Sequence, residues 1–290
     1  MADQQGCLLT KGKINTAMRL AADVVGLVKD QSVRKMNAIW LEVTGCSGNI
    51  ISLLNSENPV LYGMLTGMVN FTFNNTFMGV EGDLNFERFL ETLDTEFILL
   101  VDGAVSANEN GPYNIVANYK GKDITALEAI RMAGEKAKYV VAVGTCASYG
   151  AISAEMPNSS ESKSVQDVLN RSVIRLPGCP CHPDWILGTL AHLIGYGIPE
   201  LDCEGRPILF YGVTIHDTCK KRDLFDSGVF ANKIGEVGCI FKLGCRGPIT
   251  RADCARRKWI RHENRSIGDY AICIGCARSH FPDGMEPFIR

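Results

Sequence analysis

The chain has 290 residues, with 30 basic and 32 acidic side chains and a formal charge of −2. Hydrophobic residues make up 46% and charged residues 21%, which excludes disorder, a collagen-like repeat and a coiled coil. Near-zero charge argues against nucleic acid or an anionic membrane surface as the main partner.

The first residues, MADQQGCLLTKGKINTAMRLAADVV, read as an amphipathic packing helix. Ile14, Met18, Leu20, Ala21, Val24, Val25 and Val28 fall on one broad face. The stretch lacks a basic start before an unbroken apolar run, and it lacks a twin-arginine pair. No apolar run approaches the roughly 20 residues that span a bilayer. The expectation from these features is a cytoplasmic protein, where stable disulfides are rare.

Residues 38–195 alternate between strand and helix signals. AIWLEV (38–43) is a short apolar run ending in the turn TGCSGN. EFILLVDGAV (96–105) reads as a buried strand before the loop SANENGPYN. ITALEAIRMAGEKA (124–137) has helical spacing at Ile124, Leu127, Ile130 and Ala133. YVVAVG (139–144) is the strongest strand signal and runs into TCASYG. SVIRLPG (172–178) ends in another turn, and HPDWILGTLAHLIGYG (182–197) reads as a helix opened by Pro183 and closed near Gly197. This alternation implies an open parallel sheet covered on both faces. Binding crevices in such sheets lie beyond the carboxyl ends of the strands. Cys46, Cys146 and Cys179 each follow one of these strands. There is neither a GxGxxG fingerprint nor a GxxxxGK[ST] loop, so nucleotide binding has no support.

From about residue 205 periodicity weakens, and Gly, Pro and charge dominate. Such a segment depends on a cofactor for its stability. Of the 12 cysteines, nine lie between residues 179 and 290. The spacing His216-x2-Cys219-x19-Cys239-x5-Cys245-x8-Cys254-x18-Cys273-x2-Cys276 presents seven potential ligands. One zinc site built from His216/Cys219 and Cys273/Cys276 leaves Cys239, Cys245 and Cys254 unexplained. Two iron–sulfur clusters, of four and three ligands, use all seven.

Several strings, in this order and spacing, resemble the small, electron-transferring subunit of nickel–iron hydrogenases. They are Trp40-Leu41-Glu42-Val43-Thr44-Gly45-Cys46-Ser47, Gly144-Thr145-Cys146-Ala147, and Pro177-Gly178-Cys179-Pro180 with His182-Pro183-Asp184-Trp185. Gly244-Cys245-Arg246-Gly247-Pro248 and Cys273-Ile274-Gly275-Cys276 complete the set, which covers residues 38 to about 282. The resemblance implies an N-terminal helical extension (1–37), a flavodoxin-like α/β domain with an open parallel sheet (38–203) and a small irregular iron–sulfur domain (204–290). It implies a proximal cluster at Cys46, Cys146 and Cys179, facing the nickel–iron site of a separate large subunit. It further implies a medial 3Fe–4S cluster at Cys254, Cys273 and Cys276, and a distal 4Fe–4S cluster at His216, Cys219, Cys239 and Cys245.

The chain departs from the family at one position. The usual Glu-Cys-Thr-Gly-Cys reads Glu42-Val43-Thr44-Gly45-Cys46, and valine cannot bind iron. Cys181 stands where the family has a non-ligating residue. Either Cys181 replaces the lost ligand, giving a 4Fe–4S cluster, or the proximal cluster is of 3Fe–4S type or takes a non-cysteine ligand. Extended backbone at 179–181 would put Cys179 and Cys181 on one face, which favours recruitment of Cys181.

Glu42 is a candidate proton-path residue by resemblance, or else a hydrogen-bonding residue that orders the interface with the large subunit. Cys7 and Cys203 read as inert thiols, His182 and His192 as structural, and His262 and His280 as solvated. Lys220, Lys221 and Arg222 border the electron exit and offer a docking field for an acidic partner. The expected function is an electron relay between the large subunit and a soluble redox subunit of flavin or ferredoxin type. The glycine-lined edge at Gly45, Gly48, Gly144 and Gly178 should be buried against the large subunit over ~2,000 Å² or more. Two alternatives are an iron–sulfur subunit of a complex I-like dehydrogenase, which lacks the C-terminal ligand segment, and a zinc-stabilised scaffold.

Overall fold

A computed structural model describes residues 21, 23–26, 28–29, 34–57, 61–76, 78–263 and 271–284. Nine strands occur there: β1 (Met36–Glu42), β2 (Val69–Asn74), β3 (Phe97–Asp102), β4 (Val105–Ser106), β5 (Ile115–Tyr119), β6 (Lys122–Thr125), β7 (Tyr139–Val143), β8 (Ser162–Lys163) and β9 (Ile174–Leu176). Five of them form one sheet in the order β2-β1-β3-β7-β9, and every pair in it is parallel. This is the doubly wound order of flavodoxin-like folds, whose switch point lies between β1 and β3. The expected α/β class and flavodoxin-like sheet are therefore found.

The sheet is buried on both faces, so its central strands are apolar runs without polar alternation. Ala38, Trp40, Ile98, Leu100, Val141 and Val143 point to one face, against the helices Gly48–Leu54 and Pro183–Tyr196. Ile39, Leu41, Phe97, Leu99, Val101 and Ala142 point to the other, against Gly82–Thr92 and Ala126–Lys136. The period of two in strand side chains makes this division. Thr125 begins the helix Ala126–Lys136 by accepting the Glu128 N–H at 3.1 Å, two residues after the start read from periodicity.

β2 gave no apolar run. Its sequence VNFTFN mixes polar residues into an edge strand, which needs only one continuous apolar face. The antiparallel pair β5–β6 follows the loop read at 106–114, and its last two residues, Ile124 and Thr125, fall within the stretch read as helix. At the N-terminus, Ile14, Met18 and Leu20 lie outside the described residues. Ala21 and Val24 are fully buried, as a packing helix requires.

After Leu201 the chain forms short turns and helices of three to five residues, isolated bridges and a small apolar cluster of Ala231, Ile240, Leu243 and Ile272. Much of its apolar content is inserted into the core beneath the sheet. Phe210, Tyr211, Ile215, Ala252, Ala255 and Ala277 belong to the same buried cluster as Trp185 and Leu190. Thr145 Oγ1 donates to the Cys276 carbonyl, and Trp185 Nε1 donates to Asp253 Oδ1 at 2.8 Å.

Leu100 is fully buried at the centre of the sheet. Leu100→Ala is expected to remove about 2–5 kcal/mol of stability, read as a lower denaturant midpoint at unchanged slope.

Candidate metal centres

Cys46 follows β1, Cys146 lies in the short helix Gly144–Tyr149 after β7, and Cys179 follows β9. The parallel order brings these carboxyl ends to one edge. The three thiols act on one another: burial pushes Cys179 up to about 12, with Cys276, Cys146 and Cys46 adding to the rise. Burial also raises Cys146, with Cys46 and Asp102 contributing. Cys46 and Cys179 are exposed residues, so this group opens to the surface. The loops meet closely there. A Cβ on Gly45 would lie 3.0 Å from Gly103 Cα, and one on Gly144, whose φ is +84°, would collide with the Asn49 amide.

The structure does not place Cys181 with these three. Residues 179–180 form a turn, not extended backbone, so Cys181 does not share a face with Cys179. Cys181 is fully buried in the apolar core. Its N–H donates to Asn49 Oδ1 at 2.7 Å, its carbonyl accepts Ser52 Oγ at 2.6 Å, and its thiol faces the His182 carbonyl at 3.8 Å. Burial raises its pKa; the Gly144 N–H opposes that rise, and Asp102 and Cys276 add to it.

Asp102, which ends β3, did not stand out in the sequence. It is 1% exposed, and its Oδ1 accepts Asn49 Nδ2 at 2.6 Å. Burial raises its pKa to about 7; the Asn49 hydrogen bond opposes this and Glu42 adds to it. An acidic residue closing an otherwise apolar strand, in FILLVD, was the available signal.

Cys254, Cys273 and Cys276 line a largely apolar cavity of about 510 Å³ with Trp185, Trp259 and Ile272. Cys179 lines the same cavity. Burial pushes Cys273 up to about 12, with Cys276 and then Cys245 contributing. His216, Cys219, Cys239 and Cys245 line a second, smaller cavity. Burial raises Cys239, and both Cys245 and Cys219 act on it. His216 stands edge-on to Phe225 at 4.5 Å, and burial followed by Arg222 lowers its pKa, leaving the neutral imidazole that a metal needs.

The thiols thus fall into three groups whose charges reach one another in sequence. The soft, deprotonatable donors fit iron–sulfur clusters. Among the described residues no three such side chains converge tightly enough to hold a single metal ion, whereas the cavity of Cys254, Cys273 and Cys276 has room for a polyatomic group. The donor set therefore fits clusters better than one zinc ion. All eleven described cysteines are free thiols; Cys7 lies outside the described residues. Cys203 is exposed and stands apart from the three groups.

Around these groups the polar side chains are well ordered. Glu42 accepts a short hydrogen bond from Thr76 Oγ1, and its backbone exchanges bonds of 2.9 and 2.7 Å with the Asn75 amide. Arg222 is engaged by Asp226 at 2.9 Å and Asp217 at 3.8 Å, which reduces the basic field beside Cys219. Buried Arg257 bridges Asp184 (2.9 Å) and Asp253 (2.5 Å), and so joins the helix Pro183–Tyr196 to the turn that carries Cys254. His182 Nδ1 accepts the Asp184 N–H at 3.1 Å, which makes Nε2 the donor to the Lys258 carbonyl at 2.6 Å. His192 pairs with the Gly197 carbonyl at 2.7 Å. His262 is not solvated as expected: it is half-buried, 2.8 Å from the Arg257 carbonyl and 3.8 Å from Asp184. His280 is exposed.

Residues 46–193 match the family model of the NADH ubiquinone oxidoreductase 20 kDa subunit, and residues 211–289 match that of the C-terminal region of NiFe/NiFeSe hydrogenase small subunits. The chain is 38% identical to the periplasmic [NiFeSe] hydrogenase small subunit of Desulfomicrobium baculatum over 89% of its own length and 88% of the relative's. It is 31% identical to the quinone-reactive Ni/Fe-hydrogenase small chain of Wolinella succinogenes, over 88% and 73% of the two chains. A solved structure of the reduced, active Ni-Fe-Se hydrogenase from Desulfomicrobium baculatum superposes with a TM-score of 0.84 at 39% identity, covering 88% of this chain and 98% of that one. These names overturn the expectation of a cytoplasmic protein, since the relatives are periplasmic or quinone-reactive. That expectation rested on what the first residues lack, and such an absence does not place a protein.

Two predictions come from the buried polar cluster. Arg257→Met leaves two buried carboxylates uncompensated and should cost about 3–5 kcal/mol, read as a fall in thermal unfolding temperature. Burial lowers His182 from 6.5 to about 4, against a raising effect of Asp184. The unfolded histidine binds a proton between those values that the folded one refuses. Stability from this site is therefore full above pH 6.5 and is lost as pH falls toward 4. His182→Gln should flatten that part of the pH–stability curve.

Proposed function

The chain belongs to the nickel–iron hydrogenase small-subunit family, and we propose that its three thiol groups are the ligand sets of an electron relay. It is an electron-transfer subunit of a hydrogenase, and the catalytic site lies in the partner large subunit. The C-terminal match separates it from the complex I-like alternative, with which the N-terminal half shares its family model.

In this reading Cys46, Cys146 and Cys179 hold the proximal cluster at the sheet edge. Cys254, Cys273 and Cys276 hold a medial 3Fe–4S cluster, and His216, Cys219, Cys239 and Cys245 a distal 4Fe–4S cluster. When bound, such clusters take up and release single electrons. The observation that carries the reading is the way neighbouring groups influence one another in order. Cys179 acts at the proximal group and walls the medial cavity, and Cys245 acts on both Cys273 and Cys239.

The chain's own residues set the conditions for transfer. The apolar walls of Trp185, Trp259 and Ile272 exclude water around the medial thiols. The Lys221 N–H, 3.5 Å from the Cys219 sulfur, stabilises negative charge on that sulfur. Exposed Cys46 and Cys179 mark the edge that meets the large subunit, with Ile51 and Leu54 exposed on the helix just after Cys46. Glu42, fixed by Thr76 and Asn75, stands at that edge as a proton-path residue. At the other end His216 is the exit. Exposed Lys220 beside it supports a soluble flavin- or ferredoxin-type acceptor, whereas the Lys221 ammonium is buried and acts inward on Cys239. The quinone-reactive relative favours a quinone-linked partner as the second reading.

Replacing His216 by alanine in the assembled hydrogenase should lower H₂-driven acceptor reduction by about tenfold or more. Hydrogen–deuterium exchange between D₂ and water, which needs only the large subunit's site, should persist. Unchanged acceptor reduction would remove His216 from the relay. Iron with matching sulfide in the purified complex is expected, and zinc without sulfide would support a scaffold instead.

A further inference from the structure

The proximal group is one donor short, and position 43 cannot return it: Val43 is packed in the apolar cluster with Leu41 and Val101. Cys181 does not fill the gap either, since it is fully buried in the apolar core with its thiol facing the His182 carbonyl. One polar atom at the same sheet edge is unaccounted for. Asp102 Oδ2 is buried and has no hydrogen-bond partner among the described residues.

The position of this carboxylate is informative. Asp102 closes β3 beside β1, at the switch point of the sheet, and its carbonyl accepts the Val43 N–H at 2.7 Å. Its Oδ1 lies 4.0 Å from the Cβ position of Gly45, the residue before Cys46. Its charge is felt at Cys146. Asn49 Nδ2, at 2.6 Å, holds Oδ1 and so fixes the carboxylate plane, leaving Oδ2 as the open atom. The charged side chain acting on Asp102 is another acid, Glu42, and no basic group among the described residues answers it there. A buried carboxylate without a counter-charge is costly, and proteins keep such groups where a cation meets them.

We propose that Asp102 supplies, through Oδ2, the fourth donor to the cluster held by Cys46, Cys146 and Cys179, an oxygen in place of the thiolate missing at Val43. The assignment rests on the electron-relay reading above. It makes the proximal cluster a four-iron cluster with one oxygen-ligated iron. Asn49 becomes a positioning residue, since it orients Asp102 and through its Oδ1 anchors the Cys181 backbone beside Cys179.

The test is Mössbauer spectroscopy with iron counting on the intact hydrogenase complex. The native protein should show one four-iron cluster in which one iron differs from the other three, as an oxygen ligand requires. Asp102→Asn should lose about one iron per complex and convert the proximal signal to a three-iron type, with the medial and distal signals unchanged. Adding Val43→Cys to that variant should restore the fourth iron with all-sulfur parameters. A native proximal cluster of three irons, or one whose four irons all carry sulfur ligands, would overturn the proposal without touching the relay reading. So would an Asp102→Asn complex with native iron content and spectra. Absence of all cluster signals would instead sink the relay reading itself. The native spectrum decides even if Asp102→Asn fails to assemble.

Discussion

The structure depends on a conflict between burying thiols and ionising them. Cys179 and Cys273 are each pushed up to about 12 by burial and by neighbouring thiols. Without a bound cation these side chains are neutral, Cys273 within an apolar cavity and Cys179 at its open edge. Metal binding must displace their protons, and in doing so it turns mutual repulsion into shared coordination. The segment after Leu201 has only a four-residue apolar cluster of its own among the described residues. Much of its cohesion comes from insertion into the core under the sheet.

That insertion explains why the C-terminal segment cannot be treated as an appendage. Arg257 joins Asp184 and Asp253, Trp185 donates to Asp253, and Thr145 holds the Cys276 carbonyl. Each contact ties a ligand-bearing turn to the sheet or to the helix Pro183–Tyr196. Bonds of this kind are individually modest in water but are strongly felt when one partner is removed from a buried site. The distances between thiol groups are thereby set by the rigid α/β scaffold, on which electron-transfer rates depend.

Much of this was legible in the residues. The buried strands β1, β3 and β7 announce themselves as apolar runs, and the three cysteines at strand ends follow from parallel topology alone. The seven-ligand spacing from His216 to Cys276 pointed to clusters before any geometry. Other features were hidden for physical reasons. β2 is an edge strand with polar residues, so it shows no apolar run. The turn at 179–180 turned Cys181 away from its neighbour, which local spacing does not reveal. Asp102 looked like the polar end of a strand, and its meaning appears only when Asn49 and the Cys146 turn are brought around it. Compartment was misread, because the character of the first residues says little about where the assembled protein works.

The most direct test of the account is anomalous diffraction at the iron edge from crystals of the hydrogenase complex. Three iron-rich peaks within this subunit are predicted. One should lie at the sheet edge among Cys46, Cys146 and Cys179, one in the cavity of Cys254, Cys273 and Cys276, and one in the cavity of His216, Cys219, Cys239 and Cys245. A missing peak at any of the three, or a zinc-edge signal in its place, would contradict the account.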